Sequence, residues 1–245
     1  MRLRSLTKHI REQNWFAVAL DFFIVVVGIL IAFQITNWNE ARNNGQLRMS
    51  YLERLEADLT QTMDHLSKNQ GTTEQKIEII DSFVAKLNDQ GANEGELIRS
   101  TTDYFARGTI VADFKVFRST FDELRTSGSL EILQNDKLSE TLMTLNTNYA
   151  GRNEDLLVNT DWITPAEAEL VMAFDWFRFD ELTMHLFPSK SSTQIASEIR
   201  LHEDKLRRHA ALHYWYAHSL KRNYRGMIEQ SQDALSMVQH ELEKR

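Results

Sequence analysis

The sequence predicts an all-α protein: one N-terminal transmembrane helix followed by an extracytoplasmic antiparallel bundle of long helices. Three observations lead there. Nine Gly and two Pro in 245 residues are too few for the many tight turns of a β-sandwich or barrel. With 42% hydrophobic and 26% charged residues, the chain has the makeup of a folded domain and not of a disordered one. Apolar residues recur at helical spacing over most of the chain, except in one uninterrupted apolar run near the N-terminus.

That run, residues 15–38, reads WFAVALDFFIVVVGILIAFQITNW, and between Phe22 and Phe33 it has no polar side chain. At about 1.5 Å per residue, Trp15 and Trp38 stand about 35 Å apart. This suits a hydrocarbon core of about 30 Å with an aromatic residue in each interface. A cleaved signal peptide is the rival reading, but Ala32 is followed by Phe33, Gln34 and Ile35, and no small-x-small cleavage pattern follows. Residues 1–14 carry Arg2, Arg4, Lys8 and Arg11 against Glu12 alone, whereas acids outnumber bases beyond the run. The positive-inside rule puts this basic tail in the cytoplasm and the rest of the chain across the membrane. The expected divisions are a tail at 1–14, the membrane helix at 15–38, a stalk helix at 39–70 and a helical domain at 71–245.

Within the soluble part, Leu52, Leu55, Leu59 and Leu66, with Met63 beside them, mark a helix with one buried face. Gly45 is a candidate kink. Thr72 and Gln75 stand at capping-box spacing and suggest a fresh helix start after Gly71. A short helix is expected near 96–107, and 108–116 has some strand character. Thr120 and Glu123 form a second capping-box pattern, with Gly128 ending that helix. Asp136 is the expected cap of a helix through Leu156, and Thr164-Pro165-Ala166-Glu167 reads as the start of another. After Pro188 one long helix is expected to reach nearly to Arg245, carrying Ile199, Leu206, Leu220, Tyr224, Met227, Leu235, Val238 and Leu242, with a bend near 223–226.

The apolar run resembles the signature of an uncharacterised family of bacterial single-pass membrane proteins. The matching residues are Gly28, Ile29, Leu30, Ile31, Ala32, Gln34, Asn37, Trp38, Asn39 and Glu40. Asp21 stands where the family usually has Glu. The stretches 51–58 and 120–128 resemble its soluble part. The resemblance implies location and architecture, and no chemistry.

Two groups of residues are candidates for function. Gly28 and Ala32 follow Asp21 by seven and eleven residues, returning to nearly the same helix face, and Asn39 extends that face. A small-xxx-small pair beside an acid suits helix–helix contact inside a membrane. An acid followed by a dozen apolar residues also resembles the single-pass stator subunits of proton-driven motors. This chain lacks their basic extension and peptidoglycan-binding domain. The second group is His202, His209 and His213, spaced to share a face and able in principle to sense pH or bind a metal. Packing of aromatic residues is the competing explanation, and the expectation is no metal and no cofactor. Trp162, Phe174 and Phe177 are read as core.

No cysteine is present, which excludes thiolate metal sites, cysteine nucleophiles and a lipoprotein anchor. HExxH, Glu-x-x-His, a phosphate loop and a nucleophile elbow are all missing, and Asp175 and Glu181 have no spacing that demands acid–base work. A net charge of -7 argues against nucleic acid as a partner. The expectation is therefore not an enzyme but an inner-membrane scaffold or assembly component. Its partners would be the lipid bilayer and either further copies of itself or another membrane protein. A sensing module signalling through a partner is the first alternative, and a proton-coupled subunit using Asp21 the second.

Overall fold

A single helix, α1, spans Trp15–Asn88. The computed structural model describes residues 15–109, 114–174 and 189–244. It is all-helical, with no strand among the described residues. By its internal contacts the chain divides into two units, Met1–Tyr51 and Leu52–Arg245.

In the first unit, the apolar side chains of α1 point outward. Phe22, Phe23, Ile29, Leu30, Phe33 and Trp38 are each more than half exposed. By length and composition this helix can cross a membrane: its most apolar window has a mean hydropathy of 2.3 with none of it buried. Thr36 returns its hydroxyl to the Ala32 carbonyl at 3.0 Å, so that polar group is satisfied within the helix. The Arg42 guanidinium lies over the Trp38 ring, 6.0 Å from its centroid.

In the second unit the leucine stripe behaves as its spacing demands, with Leu52, Leu55, Leu59 and Leu66 all buried. Thr62, not Met63, fills the buried gap in the stripe. Its Oγ1 accepts the Phe117 N–H at 2.9 Å and donates to the Asp58 carbonyl at 2.9 Å, fastening the segment 114–118 to α1. The expected helix start after Gly71 does not occur. The Thr72 hydroxyl bonds back to the Lys68 carbonyl at 3.0 Å, and buried Thr73, Ile80, Phe83 and Leu87 extend the inner face to the end of α1. The helix is continuous through Gly45, the candidate kink. Arg200 closes α1 by donating to the Leu87 and Asp89 carbonyls at 2.7 and 2.6 Å.

Asn93 caps α2, Glu94–Asp103, by accepting the Glu96 N–H at 2.8 Å. The helix widens into a π-turn at Tyr104–Gly108, which lies near the expected 96–107 element. Gly108 is required here by close approach: a Cβ would lie 2.8 Å from the Tyr104 ring and 3.1 Å from Ile79. Gly108→Ala should therefore lower stability by about 1–3 kcal/mol, read as a reduced urea midpoint. An unchanged midpoint would show that the ring yields freely.

The helix α3, Ser119–Thr126, does not use the Thr120–Glu123 capping box. Asp58 of α1 accepts the Thr120 N–H at 2.9 Å instead, so the cap comes from another helix. Gly128 ends this segment at φ +69°, as its position suggested. A short 3-10 turn, Leu130–Leu133, leads to α4, Asp136–Ala173. Asn135, not Asp136, is its cap, accepting the Leu138 N–H at 3.0 Å. The start signal at Thr164-Pro165 also fails, because α4 runs through Pro165. Thr164 donates to the Thr160 carbonyl at 2.8 Å rather than capping a new helix.

The last stretch is two helices. The Ser191–Gln194 capping box opens α5, Ser192–Leu201, and α6 follows at Glu203–Glu243. The interruption falls at His202, and α6 passes through Asn223 and Gly226 without ending. Successive contacts from the α4 cap onward meet α6 in descending order: Asn135 with Glu241 at 2.8 Å, Thr141 with Met237 at 3.6 Å and Asn148 with Gln230 at 2.9 Å. A core of Ile80, Phe83, Leu97, Tyr104, Leu170, Phe174, Ile199 and Leu206 joins α1, α2, α4, α5 and α6.

Candidate functional site: a buried carboxylate facing two histidines

Helix α6 brings His209 and His213 one turn apart onto its buried face, with the ring centroids 4.6 Å apart. Across from them, Glu167 projects from α4 two residues after Pro165. Its Oε1 lies 2.6 Å from His213 Nε2, and its Oε2 lies 3.4 Å from His209 Nε2. One ligand atom from each of the three residues falls within 4.8 Å of the others, so among the described residues this group could hold a cation.

Tyr104 completes the cluster from the π-turn. Its hydroxyl is 2.7 Å from His209 Nδ1, and its ring stacks on Phe83 at 4.3 Å with 7° between planes. The side chains of His209 and His213 are 2% and 0% exposed, whereas Glu167 is about one-third exposed.

Burial and charge oppose each other here. Burial alone would raise the Glu167 pKa, but the two imidazoles pull it down to about 2. Burial pushes His213 below 6.5, against the upward pull of Glu167. Burial, with the Glu167 charge, holds Tyr104 well above 10, so its phenol is neutral. Both Glu167 and His213 have folded values below their unfolded ones, so acid opposes this packing. The unfolded chain gains protons preferentially below about pH 6.5 at His213 and below about 4.5 at Glu167.

The spacing of His209 and His213 thus corresponds to a shared site, but His202 is not part of it. His202 is the non-helical residue between α5 and α6, which breaks the seven-residue register, and it sets its ring edge-on to Phe174 at 5.0 Å. The residue that joins the pair is Glu167, which the sequence offered only as the last residue of a helix-start signal. Tyr104 gave one usable signal: Leu97, Thr101, Tyr104 and Gly108 recur at helical spacing, placing an aromatic ring against a glycine on the inner face. Phe174 is core as expected, but Trp162 is 68% exposed and is not. Phe177, Asp175 and Glu181 lie outside the described residues. On α1, Asp21, Gly28, Ala32 and Asn39 are all exposed, and nothing lies within 4 Å of a Cβ placed on Gly28.

The family model of DUF6090, a family of unknown function, matches residues 21–186. The chain belongs to this family. The DUF6090 match begins at Asp21 and takes in Tyr104 and Glu167, while His209 and His213 lie beyond it. No curated protein matches the chain, and neither does any solved structure.

Proposed function

We propose that this DUF6090 member is a single-pass protein of the bacterial inner membrane and acts as an assembly component rather than an enzyme. The basic tail lies in the cytoplasm, and an antiparallel helical bundle formed by the rest of the chain lies on the far side. Copies of the chain associate through the Asp21/Gly28/Ala32/Asn39 face. The observation that carries this reading is the outward-facing apolar stretch of α1. Its mean hydropathy of 2.3 and lack of burial leave large side chains that water would not favour.

The small residues let two such helices approach closely. Asp21, one turn or so inside the boundary, gains a partner in that contact instead of facing lipid alone. An added side chain at Gly28 meets nothing within its own chain, so substitution there tests association without disturbing the fold.

Gly28→Leu should abolish the oligomer trapped by crosslinking in native membranes while leaving helicity and membrane location unchanged. A crosslinked oligomer of undiminished yield would reject association through this face. Capture of a different membrane protein in its place would assign the face to a heteromeric contact. A reporter fused at the C-terminus should be active only outside the cytoplasm.

A further inference from the structure

We propose that Glu167, His209 and His213 form a binding site for one divalent transition-metal ion of the zinc class, with Tyr104 as its positioning residue. The donor set is two imidazole nitrogens and a carboxylate oxygen, which suits zinc. Ligands at about 2.0–2.1 Å from a tetrahedral ion stand about 3.4 Å apart. His209 Nε2 is 3.4 Å from Glu167 Oε2, and all three ligand atoms lie within 4.8 Å of one another. The two carboxylate oxygens divide between the two imidazoles, so small side-chain rotations bring all three residues onto one ion.

The buried nitrogen of His209 is the decisive observation. Its Nε2 has no hydrogen-bond partner among the described residues, although the side chain is only 2% exposed and faces the carboxylate. Its other nitrogen is engaged by Tyr104, whose ring is clamped on Phe83. When His209 Nδ1–H donates to the neutral Tyr104 hydroxyl, Nε2 presents its lone pair to a carboxylate. In that tautomer a cation between Nε2 and the carboxylate satisfies both. A metal between the carboxylate and the two imidazoles serves both nitrogens at once. Holding a ligating histidine by its second nitrogen is the usual way a protein sets its tautomer and ring orientation.

Access is provided as well. Glu167 is about one-third exposed, and a groove of about 480 Å³ lined by Ala166, Glu169, Leu170, Lys205, Arg208, His209 and Leu212 borders His209. The exposed side of Glu167 gives the ion an entry path. The bound ion would join α4 to α6. The site lies wholly within Leu52–Arg245 and stands whether or not the apolar helix associates.

The test uses tag-free, full-length protein in detergent, stripped by chelator and titrated with Zn²⁺ and separately with Co²⁺. The expected result is one equivalent bound, with visible Co²⁺ d–d bands of a low-coordinate site that Zn²⁺ displaces. His209→Gln should weaken Zn²⁺ binding at least about tenfold, and Tyr104→Phe by about 10–100-fold with unchanged far-UV helicity. Phe keeps the ring on Phe83 and removes only the hydroxyl, so a purely structural Tyr104 would leave the affinity unmoved. Should His209→Gln fail to fold, Tyr104→Phe and the wild-type Co²⁺ spectrum decide. Absence of stoichiometric uptake overturns the site, and so does uptake that neither substitution weakens.

Discussion

Phe83→Ala should lower the stability of the helical domain by about 3–5 kcal/mol, the largest loss expected from any single truncation in this core. Phe83 is fully buried and belongs to the cluster in which α1, α2, α4, α5 and α6 meet. Removing the ring subtracts its transfer free energy and leaves a cavity. Long, continuous helices on several sides limit how far the surroundings can collapse into it. The loss also reaches the site, because Phe83 supplies the face on which Tyr104 stacks, and Tyr104 in turn holds His209. Urea unfolding followed by circular dichroism checks this: the midpoint should fall with the slope unchanged. Met172→Ala, at a side chain 87% exposed, should stay within about 0.5 kcal/mol of wild type. Equal effects from the two substitutions would show that this cluster is not the centre of the core.

The features legible in the sequence were those with local causes. The stripe through Leu52, Leu55, Leu59 and Leu66 repeats at helical period, and period alone decides which face is buried. Gly128 ends a segment because it adopts a positive φ there, which is a property of the residue itself. The misread signals were those where a distant residue outcompetes the local one. Thr120 looked like a cap, but the Asp58 carboxylate reaches its backbone N–H from α1. Thr164-Pro165 looked like a start, yet α4 continues through it and sets Glu167 against His209 and His213. Half of the site was therefore readable as an i, i+4 histidine pair. Its acid and its tyrosine come from elements more than forty residues away along the chain, and no sequence period links them. His202 stands seven residues before His209, a spacing that shares a face only along an unbroken helix, and the helix is interrupted at His202 itself.

A double substitution at the middle of the apolar run, Val27→Arg with Leu30→Arg, should release the protein from the membrane. Each arginine at the centre of a spanning helix costs about 2.5–3.5 kcal/mol, so the pair costs about 6 kcal/mol, enough to shift an insertion equilibrium by about 10⁴-fold. The positions matter as much as the charge. Val27 lies 12 and 11 residues from Trp15 and Trp38, and Leu30 lies 15 and 8, so both fall well inside a hydrocarbon layer that such a helix spans, where a guanidinium can reach the headgroups only by distorting the bilayer. In that placement Asp21, six residues from Trp15, lies near one boundary and escapes most of this cost, so Asp21→Asn should leave the protein membrane-bound. The carbonate-washed membrane pellet is the measurement, with the double variant expected in the supernatant and Asp21→Asn in the pellet. If the double variant stays in the pellet, the apolar stretch of α1 is not what holds the chain there, and its exposed side chains must be covered by protein instead of lipid.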